Sequence, residues 1–363
     1  MIENLEISFK KTIFAAKYKL IYMKKHFLTF GVLAFSLLSM FSCSSKPVQQ
    51  VEIVEAKVVL DTPTVFVTRD ISPESLIRAF QALDRPVHGR VAVKISTGEA
   101  GNPNSLSPDL IAPFVRSVGG TLVECCTAYE GKRTTVKEHQ KVIHEHGYDK
   151  VAHVDLMDEE GEYRIPVRDT TWIKYDIVGD HLKKYDFMVN LAHFKGHPMG
   201  GLGGVIKNQS IGVASANGKA YIHTAGYQEV VEGMWSHTDN QDGFLESMAA
   251  AAQGVADVFG DKIVYISVMN NMSVDCDCVA KPEKVQLADY GILASLDPVA
   301  LDQACVDIIF NMEPSQGNNN EPLKERISSR HGTHTIEWAE KIGLGKRVYH
   351  LVNIDEQPVA EQK

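Results

Sequence analysis

Positive charge is scarce in this chain: 37 Lys and Arg stand against 46 Asp and Glu among 363 residues, a formal net charge of −9. That balance excludes a nucleic-acid partner, because phosphate binding needs a basic surface. Internal repeats and low-complexity segments are absent, so neither a solenoid nor a long linker is expected. After residue 43 no apolar run approaches the about twenty residues of a membrane-spanning helix, and any membrane contact must come from elsewhere. Nucleotide-binding signatures are also missing. The run NLAHFKGHPMGGLGGVIKNQSIG, 190–212, is rich in glycine, yet Lys207 does not follow a glycine as in a P-loop. Ile206 occupies the place of the last glycine in G-x-G-x-x-G.

What is present begins with MKKHFLTFGVLAFSLLSMFSCSSK from Met23. Lys24, Lys25 and His26 form a basic start, Phe27 to Phe41 an apolar stretch too short to span a bilayer, and Cys43 follows at once. This is the pattern of a signal peptide, and Ser42 with the serines after Cys43 resembles a bacterial lipoprotein box in which the cysteine is lipidated. An ordinary cleaved signal with an incidental cysteine is the alternative. Residues 1–22 are expected to be an over-extended start, 23–43 the lipoprotein signal peptide, 44–57 a polar tether and 58–363 a single domain. The expected location is the cell envelope, with the protein held to a membrane through its lipid and facing the periplasm.

Six cysteines occur, and Cys125, Cys126, Cys276, Cys278 and Cys305 remain after Cys43. An odd number cannot all pair. Neither the vicinal pair nor the C-x-C spacing is expected to close a comfortable disulfide on itself. Cys305, inside the apolar LDQACVDIIF, reads as a small buried hydrophobe.

Strand-like runs recur, and each ends in an unusual polar loop. VAVKIS leads into TGEAGNPN, TLVECC into TAYEGKR, DFMVNLA into HFKGHPMGG, KIVYISVM into NNMSVDCDC and GILAS into DPVALD. The runs are β-branched and do not alternate, as in strands covered on both faces. Between them lie helical segments with clear ends, such as SPDLIAPFVRSVGG with Ser107 as N-cap, Pro108 at the first position and a glycine stop. The fold class is therefore α/β, a mainly parallel sheet with flanking helices and a composite site at the strand carboxyl ends.

Several loops could carry chemistry. Cys276 and Cys278 in VDCDC place two soft ligands just past a strand, and His193 and His197 of HFKGH, or Cys125 and Cys126 at another strand end, could complete a metal site of iron, zinc or nickel. The competing reading is a reactive or disulfide-prone loop without metal. His193 and Lys195, with Glu99 and Asp297, are candidates for proton transfer. One of the histidines could instead satisfy buried backbone groups, and Asp297 before Pro298 could be only an N-cap. Gly200, Gly201, Gly203 and Gly204 with Lys207 and Asn208 suggest backbone amides approaching a small anionic ligand, or else a loop packed tightly on a strand. Tyr129 and Arg133 in AYEGKR could clamp a carboxylate. His139, His144, His146 and His153 read as a solvated face.

Taken together, HFKGHPMGGLGGVIKNQSIGVASANGKAYIH, MSVDCDC and GILASLDPVALDQACVDII resemble the domain-of-unknown-function 362 family, often called uncharacterised iron-sulfur centre proteins. The resemblance runs from about Val91 to Ile354. It implies a shared core of His193, Lys195, His197, Lys207, Asn208, Cys276, Cys278, Asp297 and Asp302. Many members carry a ferredoxin-like insert after the GKAYIH region, but here TAGYQEVVEGMWSHTDNQDGF stands there without a cysteine. A ferredoxin-type cluster is accordingly not expected. The family core is also similar in outline to the amino-terminal part of nickel-dependent lactate racemase, which would suit a small organic acid or a metal-bearing cofactor. The sequence thus points to a metal or metallocofactor site with redox or organic-acid chemistry. The alternative is a non-catalytic periplasmic binder of small anions, and a homo-oligomer is compatible with either.

Overall fold

Runs dense in Val and Ile form strands because β-branched side chains pack well on a pleated surface. In the computed structural model, which describes residues 62–355, the strands are β1 (Thr64–Thr68), β2 (Val91–Lys94), β3 (Gly120–Glu124), β4 (Val154–Leu156), β5 (Glu162–Pro166) and β6 (Tyr175–Gly179). The later ones are β7 (Phe187–His193), β8 (Lys195–His197), β9 (Gly201–Gly203), β10 (Ile263–Met269), β11 (Gly291–Ser295) and β12 (His350–Asn353). The start, signal and tether expected over 1–57, with Cys43, lie outside the described residues. The described residues form one compact unit.

Eight strands build one sheet in the order β12-β1-β11-β10-β7-β2-β3-β4. Parallel pairing joins β10 to β7, β7 to β2, β2 to β3 and β3 to β4, and β12 to β1. Only β11 runs against its neighbours, pairing antiparallel with both β1 and β10. The sheet is thus mainly parallel with helices on its faces, as the alternation of elements predicts. One apolar cluster, with Ala92, Val123, Met188 and Tyr265, covers one face, and another, with Val93, Leu122, Val189 and Ile266, covers the other. Successive residues of a strand enter opposite clusters, so both must be apolar, which is why the runs do not alternate.

Helix boundaries follow local chemistry. Ser107 caps Pro108–Ser117 by accepting the Asp109 N–H. Thr135 caps Val136–His146, which stops at Gly147 in the left-handed region.

Two expectations need correction. Because β11 is reversed, the DPVALD loop leaves the end of the sheet opposite to that served by β2, β3, β7 and β10. Also, the four histidines do not form a solvated face. His139 is fully buried and its Nε2 lies 3.1 Å from the Glu124 carboxylate, while His146 Nδ1 meets the Thr97 carbonyl at 2.7 Å. A carboxylate buried at a strand end needs such partners, and only His144 and His153 are exposed.

Candidate functional site

Four neighbouring strands, β10, β7, β2 and β3, deliver their carboxyl ends to one cavity of about 290 Å³. Lys94 and Ser96 come from β2 and its exit, Glu124 and Cys125 from β3, Lys195 and His197 from beyond β7, and Cys276 to Cys278 from beyond β10. Crevices beyond parallel strand ends are where α/β folds bind ligands.

The HFKGH and VDCDC loops touch. Gly196 N–H donates to the Ser273 carbonyl at 2.8 Å. A Cβ on Gly196 would lie 2.0 Å from the Val274 carbonyl oxygen, so only glycine permits this approach. Asp277 is the hub: its carboxylate receives Lys195 Nζ at 2.7 Å and faces His193 Nδ1 at 2.9 Å. Burial alone would raise its pKa, but Lys195 and His193 outweigh that and hold it well below the usual carboxylate range. The other His193 nitrogen, Nε2, meets the Asn270 carbonyl at 2.6 Å. Both ring nitrogens of His193 are therefore engaged within the protein. It positions Asp277 and does not line the cavity.

Cys276 and Cys278 are joined as a disulfide, as the disulfide-prone reading of this loop allowed. A turn, with Val279 N–H donating to the Cys276 carbonyl at 3.0 Å, brings the two side chains to one side. Their Cα atoms are 5.2 Å apart, within the usual disulfide range. Cys125, Cys126 and Cys305 are free and buried. Burial and Asp158 push the Cys125 thiol well above its ordinary value and the Cys126 thiol up to about 12. Among the described residues, ligand atoms of His197, Cys276 and Cys278 lie within 4.8 Å of one another. A second such group, Asp155, Glu159 and His181, sits away from the cavity, and His181 there already spends both nitrogens on Asp155 and Glu160.

Two histidines on the cavity wall hold opposite tautomers. His197 Nδ1 accepts N–H groups from Met199 and Gly200 at 3.2 and 2.8 Å, so the neutral ring carries its proton on Nε2. Burial, then the nearby Lys207 and His223, keep it neutral, its pKa well below the ordinary value. His223 Nδ1 donates to the Lys219 carbonyl at 2.7 Å, leaving a lone pair on Nε2. Burial is the main cause that lowers its pKa to about 4. Its ring is stacked on Phe244 at 4.7 Å and meets the edge of Trp235. The cavity thus offers one N–H donor and one nitrogen base.

Cations dominate the rest of the wall. Lys94, Lys195, Lys207, Lys219 and Arg133 face it, against the carboxylates of Glu124 and Asp277. Both carboxylates are already spent, Asp277 on Lys195 and Glu124 on Arg133 at 2.7 Å. Among the described residues, Lys94 Nζ has only the Ile95 carbonyl and Asn208 Oδ1, and Lys219 Nζ only the Ala214 carbonyl. The Lys207 ammonium makes no ion pair or hydrogen bond with any described side chain. Burial, then Lys195, Lys219 and Lys94, bring its ammonium down to about 7; burial brings Lys94 to about 8 against the pull of Glu124.

The remaining residues singled out in the sequence divide clearly. Tyr129 and Arg133 line the cavity, but Arg133 is committed to Glu124 and to the Tyr129 oxygen at 2.5 Å, so it cannot also clamp a ligand in bidentate fashion. The Tyr129 hydroxyl, accepting from Arg133, keeps its own proton free to donate. Glu99 is buried behind this pair, accepting the Lys132 N–H at 2.7 Å, and does not line the cavity. Gly203 and Gly204 line it, while Gly200 ends the preceding turn and Gly201 opens β9. The amides after the glycines are taken by the protein's own anion: Asp302 accepts Val205 and Ile206 N–H at 2.8 and 3.0 Å. Asn208 is used to hold Lys94 and Asn190. Asp297, at the opposite sheet end, caps Pro298–Asn311 through the Val299 and Ala300 amides. Lys94, Lys219, His223 and Glu124 were not singled out in the sequence. A lysine inside the apolar run VAVKIS was the one available signal, since an unpaired ammonium is expensive to bury.

Fold and site define an α/β protein with a cation-rich cavity at the carboxyl ends of its central strands. This chain belongs to the family described as Domain of unknown function (DUF362), whose model matches residues 91–307. That span carries every residue lining the cavity. Among solved structures, the lactate racemase apoprotein from Thermoanaerobacterium thermosaccharolyticum is similar at 16% identity and a TM-score of 0.32, over 56% of this chain and 50% of that one. A structural-genomics target from Thermotoga maritima is similar at 11% identity and a TM-score of 0.37, over 74% of this chain and 58% of that one. The chain therefore spans about half the length of the racemase. No curated protein matches the sequence.

Proposed function

We propose that the cavity binds a small organic anion and that the protein acts on it with its two cavity histidines beside a metal-capable cysteine pair. The observation that carries this reading is the set of cations without counter-ions. Ammonium groups whose pKa falls to about 7 and about 8 are held against their preference, and an anion entering among them removes the penalty. The volume, about 290 Å³, suits a carboxylate of a few carbons. Tyr129 and His197 Nε2 would donate to its oxygens, and His223 Nε2 would accept a proton.

A metal ion fits only one redox state of this site. Joined in a disulfide, Cys276 and Cys278 offer no thiolate. Reduced, they present two soft ligands beside His197, whose Nε2 must first lose its proton because Nδ1 faces two N–H donors. His223, its Nδ1–H bonded to a carbonyl, has the orientation common in metal-binding imidazoles, but only His197 is grouped with the two sulfurs. Iron, zinc or nickel would suit such a set and would supply Lewis-acid or redox chemistry when bound. We place the chain in the cell envelope, anchored through lipid on Cys43. A Cys43→Ala chain that still partitions with membranes would contradict the anchor.

The test is thermal unfolding of the described domain with small mono- and dicarboxylates, alongside metal analysis of protein reduced without oxygen. The reading expects a dose-dependent rise in Tm with carboxylates and none with cationic amines. It also expects stoichiometric metal that disappears in the Cys276→Ala, Cys278→Ala double variant. No response to any anion overturns the anion site, and a metal-free reduced protein overturns the metal reading.

A further inference from the structure

A disulfide on the wall of a cation-rich cavity is a combination that anion binding alone does not require. Cys276 is 3% exposed, whereas Cys278 is only partly buried, and both face the cavity with Lys195 and Lys207. The other three cysteines among the described residues are buried protonated thiols. These are poor nucleophiles and do not compete.

We propose that the Cys276–Cys278 pair is a thiol–disulfide exchange centre selective for small thiols that carry a carboxylate. The proposal shares the cation surplus with the anion-binding reading but needs no metal. In the first step the thiolate sulfur of such a molecule attacks Cys278 Sγ, the more accessible of the two. The bond between the protein sulfurs breaks, and its electron pair leaves on Cys276 Sγ, which already accepts the Cys278 N–H at 3.4 Å. A second thiolate attacks the small-molecule sulfur of the mixed disulfide and releases Cys278. Two small thiols are oxidised to their disulfide, the protein disulfide is reduced to two thiols, and the protons of the incoming thiols end on the protein sulfurs. The surrounding ammonium groups raise the local concentration of the anionic reactant and oppose a cationic one.

The test compares the reduction of the oxidised full chain by mercaptoacetate and by a cationic aminothiol, at equal thiolate concentration and low salt. The anionic thiol is expected to react about tenfold faster or more, within the range of electrostatic steering, and high salt should erase most of that advantage. Lys207→Gln should reduce it, and Cys276→Ser treated with the disulfide of mercaptoacetate should accumulate one mixed disulfide at Cys278 by peptide mass. Equal rates for the two thiols in the wild-type protein, or an adduct mapped elsewhere, would overturn the proposal. Carboxylates without sulfur separate the two readings. If they stabilise the protein while the thiols react without preference, exchange selectivity fails alone; if they also have no effect, both fail.

Discussion

Lys207 concentrates the electrostatic problem of the cavity in one side chain. Its pKa is lowered to about 7 in the folded protein, while an unfolded lysine keeps its proton to about 10.4. Between those values the unfolded state binds more protons, so this group makes the unliganded protein more stable as pH rises from about 7 toward 10, and less stable below. Lys207→Met should therefore raise Tm at pH 6, by about 2–4 °C if the relief is near 1 kcal/mol, and leave it unchanged near pH 10. Scanning calorimetry at the two pH values reads this directly, and a variant less stable than wild type at pH 6 would contradict it. Lys207, His197 and the two cysteines were legible in the sequence because they stand in polar loops after apolar runs. His223 and Lys219 were not, since a lysine and a histidine within GKAYIH look like those of any surface helix. Only tertiary packing turns them inward.

At the scale of elements, the helix Val205–Gln209 is too short to hold itself together. Asp302, reaching from the helix Pro298–Asn311, fixes its first turn by accepting two buried amides. Burial raises the Asp302 pKa to about 7, so this cap titrates near neutrality. Asp302→Ala strands both N–H groups and should cost about 2–4 kcal/mol in chemical denaturation. It should also weaken carboxylate binding, because the same turn carries Lys207. A loss of stability below about 0.5 kcal/mol would show that water replaces the cap. Strands and capped helices were readable locally, since β-branched runs and Ser or Thr caps act within a few residues. The reversal of β11 was not: strand direction is set by pairing with β10 and β1, far away in sequence. Asp297 consequently looked like a member of the site, although it caps a helix at the other end of the sheet.

For the whole molecule, a chain of net charge −9 gathers five cationic side chains around one cavity at the centre of its sheet. Such a distribution draws anions to the cleft while the remaining surface repels them, and the attraction is screened by salt. Proton linkage follows from the same charges, because an anion stabilises the charged form of Lys207 and binding should take up a proton near neutral pH. Isothermal titration of the oxidised protein with a small carboxylate, at pH 6 and pH 8.5 in buffers of different ionisation heat, tests the central claim most directly. The cation-lined site predicts tighter binding at pH 6, proton uptake on binding at pH 8.5, weakening with salt, and a smaller pH dependence in Lys207→Gln, with Lys94 supplying what remains. Affinity that is absent, or equal at both pH values and in the variant, would contradict it.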